Sequence, residues 1–197
     1  LSDGDGKGHG EWVELTADNP DIQAAGLMTQ DQVLVYTRLA ADAVGATKMD
    51  RPEWTTIGTK GEVYWTLTNN TAKDTVAPKD GPISVNEVNP IFNHADGHII
   101  RTDDISSTEF RWEIFILARN TRPTDPETDS IDENGNPLDF EFAAYTPPAD
   151  GGANTFTDPD AAWADPYGRL FIGTDGGQPG DLQDQLVVFN VKTGEYR

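Results

Sequence analysis

The sequence predicts an all-β fold: about two blades of a β-propeller, with one short helix and long loop insertions. Three observations carry that prediction. The stretch Met49 to Asn70 reads as a short strand, a glycine-closed turn and a second strand of aromatic and β-branched residues. A second stretch, Asp158 to Gly177, repeats the plan, with Pro52 matching Pro159, Glu53 matching Asp160, Gly61 matching Gly168 and Tyr64 matching Phe171. Each copy is followed by two more strand-like segments, and four antiparallel strands per unit is the make-up of a propeller blade. The units are expected at about 49–118 and 158–197, within a single partial domain spanning 1–197.

Taken in order, residues 1–10 are glycine-rich and read as a flexible entry, with His9 on the surface, and Glu11 to Leu15 alternates as a strand. Thr16 to Gln30 reads as loop, with Asp18-Asn19-Pro20 as a turn. Val33, Leu34, Leu39, Ala40, Ala43 and Val44 follow helical spacing, predicting one helix over Asp31–Ala46, with Thr29 or Asp31 as its N-cap and Gly45 as its stop. The first unit's inner strands follow. Residues 71–96 form an insertion holding Pro78, Pro82 and Pro90, and then 97–101 and 109–118 pair as a hairpin turning through 103–108. Residues 119–157 form a second, acidic insertion. Its acids at 125, 127 and 129 resemble a calcium loop, but Ser130 stands where glycine is needed and the terminal Glu is missing, so an EF-hand is rejected. After the second unit's inner strands, 186–191 and 195–196 close a hairpin through Lys192-Thr193-Gly194.

Composition excludes several classes. Among 197 residues, 34 acids stand against 14 basic residues, and the net charge is −20. Nucleic-acid binding needs a basic face, so none is expected. No apolar run reaches membrane-spanning length. With no cysteine, disulfides are excluded. The chain starts at Leu1 and stops after a hairpin, as expected of a piece of a longer protein. Two blades would leave bare strand edges, through which copies could self-associate.

No nucleophile elbow, phosphate loop or cysteine is present, and His9, His94 and His98 have no zinc spacing. What remains is carboxylates at blade entrances. Inner strands start at the channel of a propeller, so Glu53 and Asp160 are expected to face each other across it as ligands of calcium or another hard cation. Asn69, Asn70 and Asp175, at the strand exits, read as turn residues or as groups at the opposite channel mouth. Arg51, two residues before Glu53, points the same way on a strand. Its guanidinium fork matches two phosphate oxygens; the alternative is an ion pair with Glu53 or Asp50 that only braces the blade.

The run Thr37 to Thr47 (TRLAADAVGAT), Met49 to Trp54 (MDRPEW), Leu67 to Asn70, Gly97 to Arg101, Gly4-Asp5-Gly6 with Glu11-Trp12, and Pro159-Asp160 resemble the PhoX family of bacterial alkaline phosphatases. The resemblance implies a six-bladed propeller, secreted to the periplasm or beyond, that hydrolyses phosphomonoesters with an iron–calcium cluster. It implies Glu53 as a metal ligand, Arg51 as the phosphate contact and Asp160 as a calcium ligand. This chain departs from the pattern twice: Ala161 follows Pro159-Asp160 where the family has Asn, and the cysteine of the family's iron site is missing. A non-catalytic calcium-binding propeller and a lactonase-type propeller hydrolase are the alternatives.

Overall fold

The structure is a computed structural model that describes residues 5–70, 86–91, 94–119, 143–145, 155–178 and 183–197. The calcium-loop-like run at 125–130 lies outside those residues. Among the described residues, nine strands form two antiparallel sheets: β1 (Lys7–Glu11), β2 (Pro52–Ile57), β3 (Val63–Leu67), β4 (His98–Asp104) and β5 (Glu109–Leu117) in the first; β6 (Pro159–Ala164), β7 (Arg169–Thr174), β8 (Leu186–Asn190) and β9 (Glu195–Tyr196) in the second. The strand orders are β1-β5-β4-β3-β2 and β6-β7-β8-β9. β2 to β5 and β6 to β9 are thus each a four-stranded meander, as blades of a propeller are, and β1 adds to the first beside β5.

The two innermost hairpins share a backbone plan. In the first, the Gly58 N–H donates to Glu62 O (2.7 Å) and the Gly61 N–H to Gly58 O (3.3 Å). In the second, Asp165 and Gly168 make the matching bonds to Arg169 O (2.9 Å) and Asp165 O (3.2 Å). Gly61 and Gly168 adopt φ of +92° and +84°, which is why glycine closes both turns. Their side chains differ. The Glu62 carboxylate lies where a side chain on Gly58 would be, and accepts from the Lys60 N–H at 2.8 Å. In the second turn Asp165 carries the carboxylate, accepting from the Tyr167 and Arg169 N–H groups, both at 2.9 Å.

The sheets meet face to face over one apolar core. Tyr64, Ile99, Phe115 and Ile116 of the first sheet bury against Ala162, Leu170, Ile172 and Phe189 of the second. Tyr145 fills the seam, with its ring 5.2 Å from Phe115 and 4.8 Å from Phe189. Threonines stitch the junction where β6 has no strand partner on its inner side. The Thr66 hydroxyl donates to Asp160 O, the Thr68 hydroxyl donates to Pro159 O (3.2 Å), and the Thr56 hydroxyl accepts from the Ala164 N–H (3.0 Å). The backbone polar groups of this edge are thereby satisfied by hydroxyls in place of a ladder.

Three expectations are corrected. The single helix over Asp31–Ala46 is two, α2 (Gln30–Val35) and α3 (Thr37–Ala43), and a further helix α1 (Pro20–Ala24) precedes them. Tyr36 and Thr37 break the run, the Thr37 hydroxyl bonding back to Leu34 O at 2.7 Å. Thr29 is the N-cap, in a reciprocal box with Gln32. Asn19-Pro20 is a cap and first helical residue instead of a loop turn, since Asn19 accepts from the Asp21 N–H and proline is preset for position N1. Finally, residues 7–11 form edge strand β1, paired with β5, instead of a flexible entry, and the strand expected over Glu11–Leu15 ends at Glu11.

Candidate active site at the strand entrances

Arg51 and Asp158 stand immediately before Pro52 and Pro159, at matched positions. Both have positive φ, +46° and +51°, which non-glycine residues seldom adopt and which a following proline further disfavours. Such strain persists where the surroundings enforce it. Here the enforcing bonds match as well: the Thr68 N–H donates to Arg51 O and the Asp175 N–H to Asp158 O, each at 3.1 Å. An extra residue then enters each inner strand, between Pro52 and Thr55 and between Pro159 and Ala161. The strained residue and the bulge bring the side chains of 51, 53, 158 and 160 within reach of one another.

There Arg51, Glu53, Asp158, Asp160, Asp175 and Asn69 gather. The Arg51 guanidinium donates to Asn69 Oδ1 (3.0 Å) and lies 3.5 Å from Glu53 Oε1. Asn69 Nδ2 donates to Asp158 Oδ1 (2.5 Å). Asn69 therefore holds Arg51 and Asp158 in fixed relation, donating with one end and accepting with the other. Burial, with the nearby Glu53 and Asp175 carboxylates, raises the Asp160 carboxyl above its ordinary range, against the pull of Arg51. Burial also raises Asp158, against its bond from Asn69. Gly176 leaves room beside Asp158, because a Cβ there would lie 2.5 Å from Asp158 Oδ2. Four carboxylates thus face one guanidinium, a set that attracts a cation by charge and an oxyanion by the fork.

The sequence expectations map onto this cluster with adjustments. Glu53 and Asp160 sit side by side on adjoining inner strands, within electrostatic reach, and not across a channel from each other. Arg51 pairs with Glu53, and Asp50 turns inward and is fully buried. Asn69 and Asp175 join the entrance cluster instead of the opposite mouth. The reason is the antiparallel hairpin, whose second strand returns to where the first began. Asp158 was missed as a site residue, though the match of Arg51 with Asp158 in the repeat was its signal, and Asn69 was read as a turn residue or a group at the opposite mouth.

The sequence model of the family described as alkaline phosphatase PhoX matches residues 2–195. The chain belongs to the PhoX family of alkaline phosphatases. Among solved structures it is similar to Pseudomonas fluorescens PhoX in complex with vanadate, a transition state analogue, at 34% identity and a TM-score of 0.70. That match covers 97% of this chain and 32% of the Pseudomonas protein, so the chain spans about a third of its relative's length. Comparison with curated proteins gave no match.

Membership of the PhoX family raises the question of metal. The entrance cluster offers carboxylate and amide oxygens alone, the donor set of a hard cation, and its crowded acids gain from one. Calcium therefore fits. Carboxylates accept iron too, but a thiolate ligand cannot come from this chain, which has no cysteine. A second cluster, absent from sequence spacing, lies behind Arg51: Asp50, His94 and His98 are all buried, and one donor atom from each falls within 4.8 Å of the others.

Proposed function

We propose that this chain forms part of a metal-dependent phosphomonoester hydrolase of the PhoX type, acting in the periplasm or outside the cell on small phosphate esters. The reading is carried by Arg51, the single guanidinium among four carboxylates at the strand entrances. The vanadate bound by the Pseudomonas relative supports a phosphate-shaped ligand. Arg51 holds two phosphoryl oxygens and balances charge that grows on them, while Asn69 fixes its direction. Glu53 and Asp160, with Asp158 beside them, would hold calcium. Bound cations polarise phosphoryl oxygens and outweigh the acidic surface that otherwise repels the substrate. Iron belongs to the same reading, with ligands beyond those of this chain.

The test is hydrolysis of a chromogenic phosphomonoester, with calcium and iron supplied, by this chain together with the rest of the hydrolase of which it is proposed to form part. Arg51→Ala should lower kcat/KM by about 10²–10³-fold, the usual loss for one transition-state donor. Glu53→Ala should abolish the calcium requirement together with the activity. A non-catalytic calcium-binding propeller is the second reading, favoured by the missing cysteine. It is supported by calcium-dependent thermal stabilisation without hydrolysis. Hydrolysis of lactones but not phosphate esters would overturn both.

A further inference from the structure

We infer that Asp50, His94 and His98 form a buried binding site for zinc or a similar late first-row divalent cation, a clamp beneath the Arg51 turn. The three residues come from separate places: Asp50 just before β2, His94 from the loop bridged to Asn70, and His98 from the start of β4. They are 0%, 1% and 0% exposed. The two imidazoles stack with centroids 5.3 Å apart and planes 20° from parallel.

The protonation pattern suits a ligand set. His98 Nε2 meets Val88 O at 2.8 Å. A carbonyl only accepts, so Nε2 carries the hydrogen and Nδ1 is the ring nitrogen able to act as a ligand. Metal-bound histidines are oriented by such a bond to a backbone carbonyl. Asp50 is braced in the same way: Asn70 Nδ2 donates to its Oδ1 (3.1 Å), and its own N–H donates to Asn89 Oδ1 (2.9 Å). His94 supplies the independent sign. Both of its ring nitrogens are buried without a hydrogen-bond partner, and Nδ1 stands 3.9 Å from Asp50 Oδ2, too far for a hydrogen bond. A buried polar ring left without a partner is costly, and a cation accepting its lone pair removes that cost.

The donor chemistry selects the metal. Two imidazoles and one carboxylate favour zinc and its neighbours over calcium, which takes oxygen ligands. In tetrahedral zinc sites the ligand atoms stand about 3.3 Å apart. The donors here lie within 4.8 Å of one another, and a bound ion would draw them together by side-chain rotation. The bound ion would tie the segment before Arg51 to His94 and to the start of β4, and so hold the strained residue from behind. The site stands whether or not the phosphatase reading holds.

Elemental analysis of the 197-residue protein, purified and dialysed against buffer containing calcium but no zinc, tests it. About one equivalent of zinc should remain, as expected of a structural ion trapped on folding. His94→Ala should lose that equivalent and unfold at a lower temperature, whereas Asp160→Asn should keep it, which separates this site from the entrance cluster. A measurement that needs no variant guards against misfolding: wild-type protein refolded with cobalt(II) should show the visible absorption of a four-coordinate imidazole-ligated ion. The absence of both bound zinc and a cobalt spectrum in the wild type would overturn the inference, as would full zinc retention by a folded His94→Ala protein.

Discussion

The two entrance hairpins have one backbone and opposite chemistry. At matched positions before proline, with the same positive φ, the same bulge and the same returning hydrogen bond, one carries Arg51 and the other Asp158. Their surroundings differ too: Arg51 and Glu53 are largely exposed, while Asp158 is 6% exposed under the first hairpin. A repeated unit delivers a side chain to one place per blade, and substitution at that place alone sets whether the blade contributes an anion-binding or a cation-binding group. The shared frame therefore belongs to the repeat and the chemistry to the residue.

The comparison breaks most severely where the hairpins touch. Gly97, at φ +79°, lies where an added Cβ would overlap the carbonyl oxygens of Leu67 and Thr68 and crowd Pro159 Cδ at 2.8 Å. These are backbone and ring atoms that cannot swing aside. Gly97→Ala should cost about 4 kcal/mol or more, in the range reserved for steric failure, read by urea unfolding. Thr66→Val comes next. It keeps the side-chain shape but removes the hydroxyl that accepts from the Trp54 N–H (3.0 Å) and donates to Asp160 O. Leaving those part-buried backbone groups unpaired should cost about 1–3 kcal/mol in the same assay.

How much of this was legible from sequence follows the same division. The paired turns were readable because Gly61 and Gly168 have one job, a left-handed φ, that local chemistry dictates. Strand β1 was not, because its glycines signalled flexibility. They are small for a distant reason: a Cβ on Gly10 would enter the Phe110 ring, and one on Gly8 would lie 3.1 Å from Trp112 Nε1. The imidazole cluster was hidden likewise, since the separation between Asp50 and His94 carries no periodicity and only the pairing of Asn70 with His94 brings them together. Arg51, Glu53 and Asp160 could be picked out because they sit at the repeat's fixed points. Asn69 was noticed but could not be placed, because its role is to link two blades.

A finer test asks whether the turns are as alike as their hydrogen bonds. An added methyl on Gly61 meets nothing within 4 Å, and on Gly168 only the Lys192 side chain at 3.4 Å. Both alanine variants should therefore lose only the φ penalty, about 1 kcal/mol each. Thermal unfolding that separates the two by more than about twice that amount would show that the turns differ in more than side chains.

The smallest effect probes the charge that sets the hairpins apart. Asp160 faces Glu53 and Asp175 as like charges and Arg51 as the opposite one, and its carboxyl is raised above the ordinary value of 3.8. Between that value and the raised one, the folded protein binds more protons than the unfolded chain, so stability falls as pH rises through this window. Asp160→Asn removes the cost. It should melt above the wild type at neutral pH without calcium, and the gain should vanish below the ordinary value, where both side chains are neutral. Asp158 shifts in the same direction, so the wild type keeps part of the slope in the variant. Calcium should stabilise the wild type at neutral pH by neutralising the same crowding, and Asp160→Asn should blunt that response. Were the variant to melt lower than the wild type at neutral pH without calcium, Arg51 would outweigh the two acids, and the entrance would be an ion-paired brace instead of a cation seat.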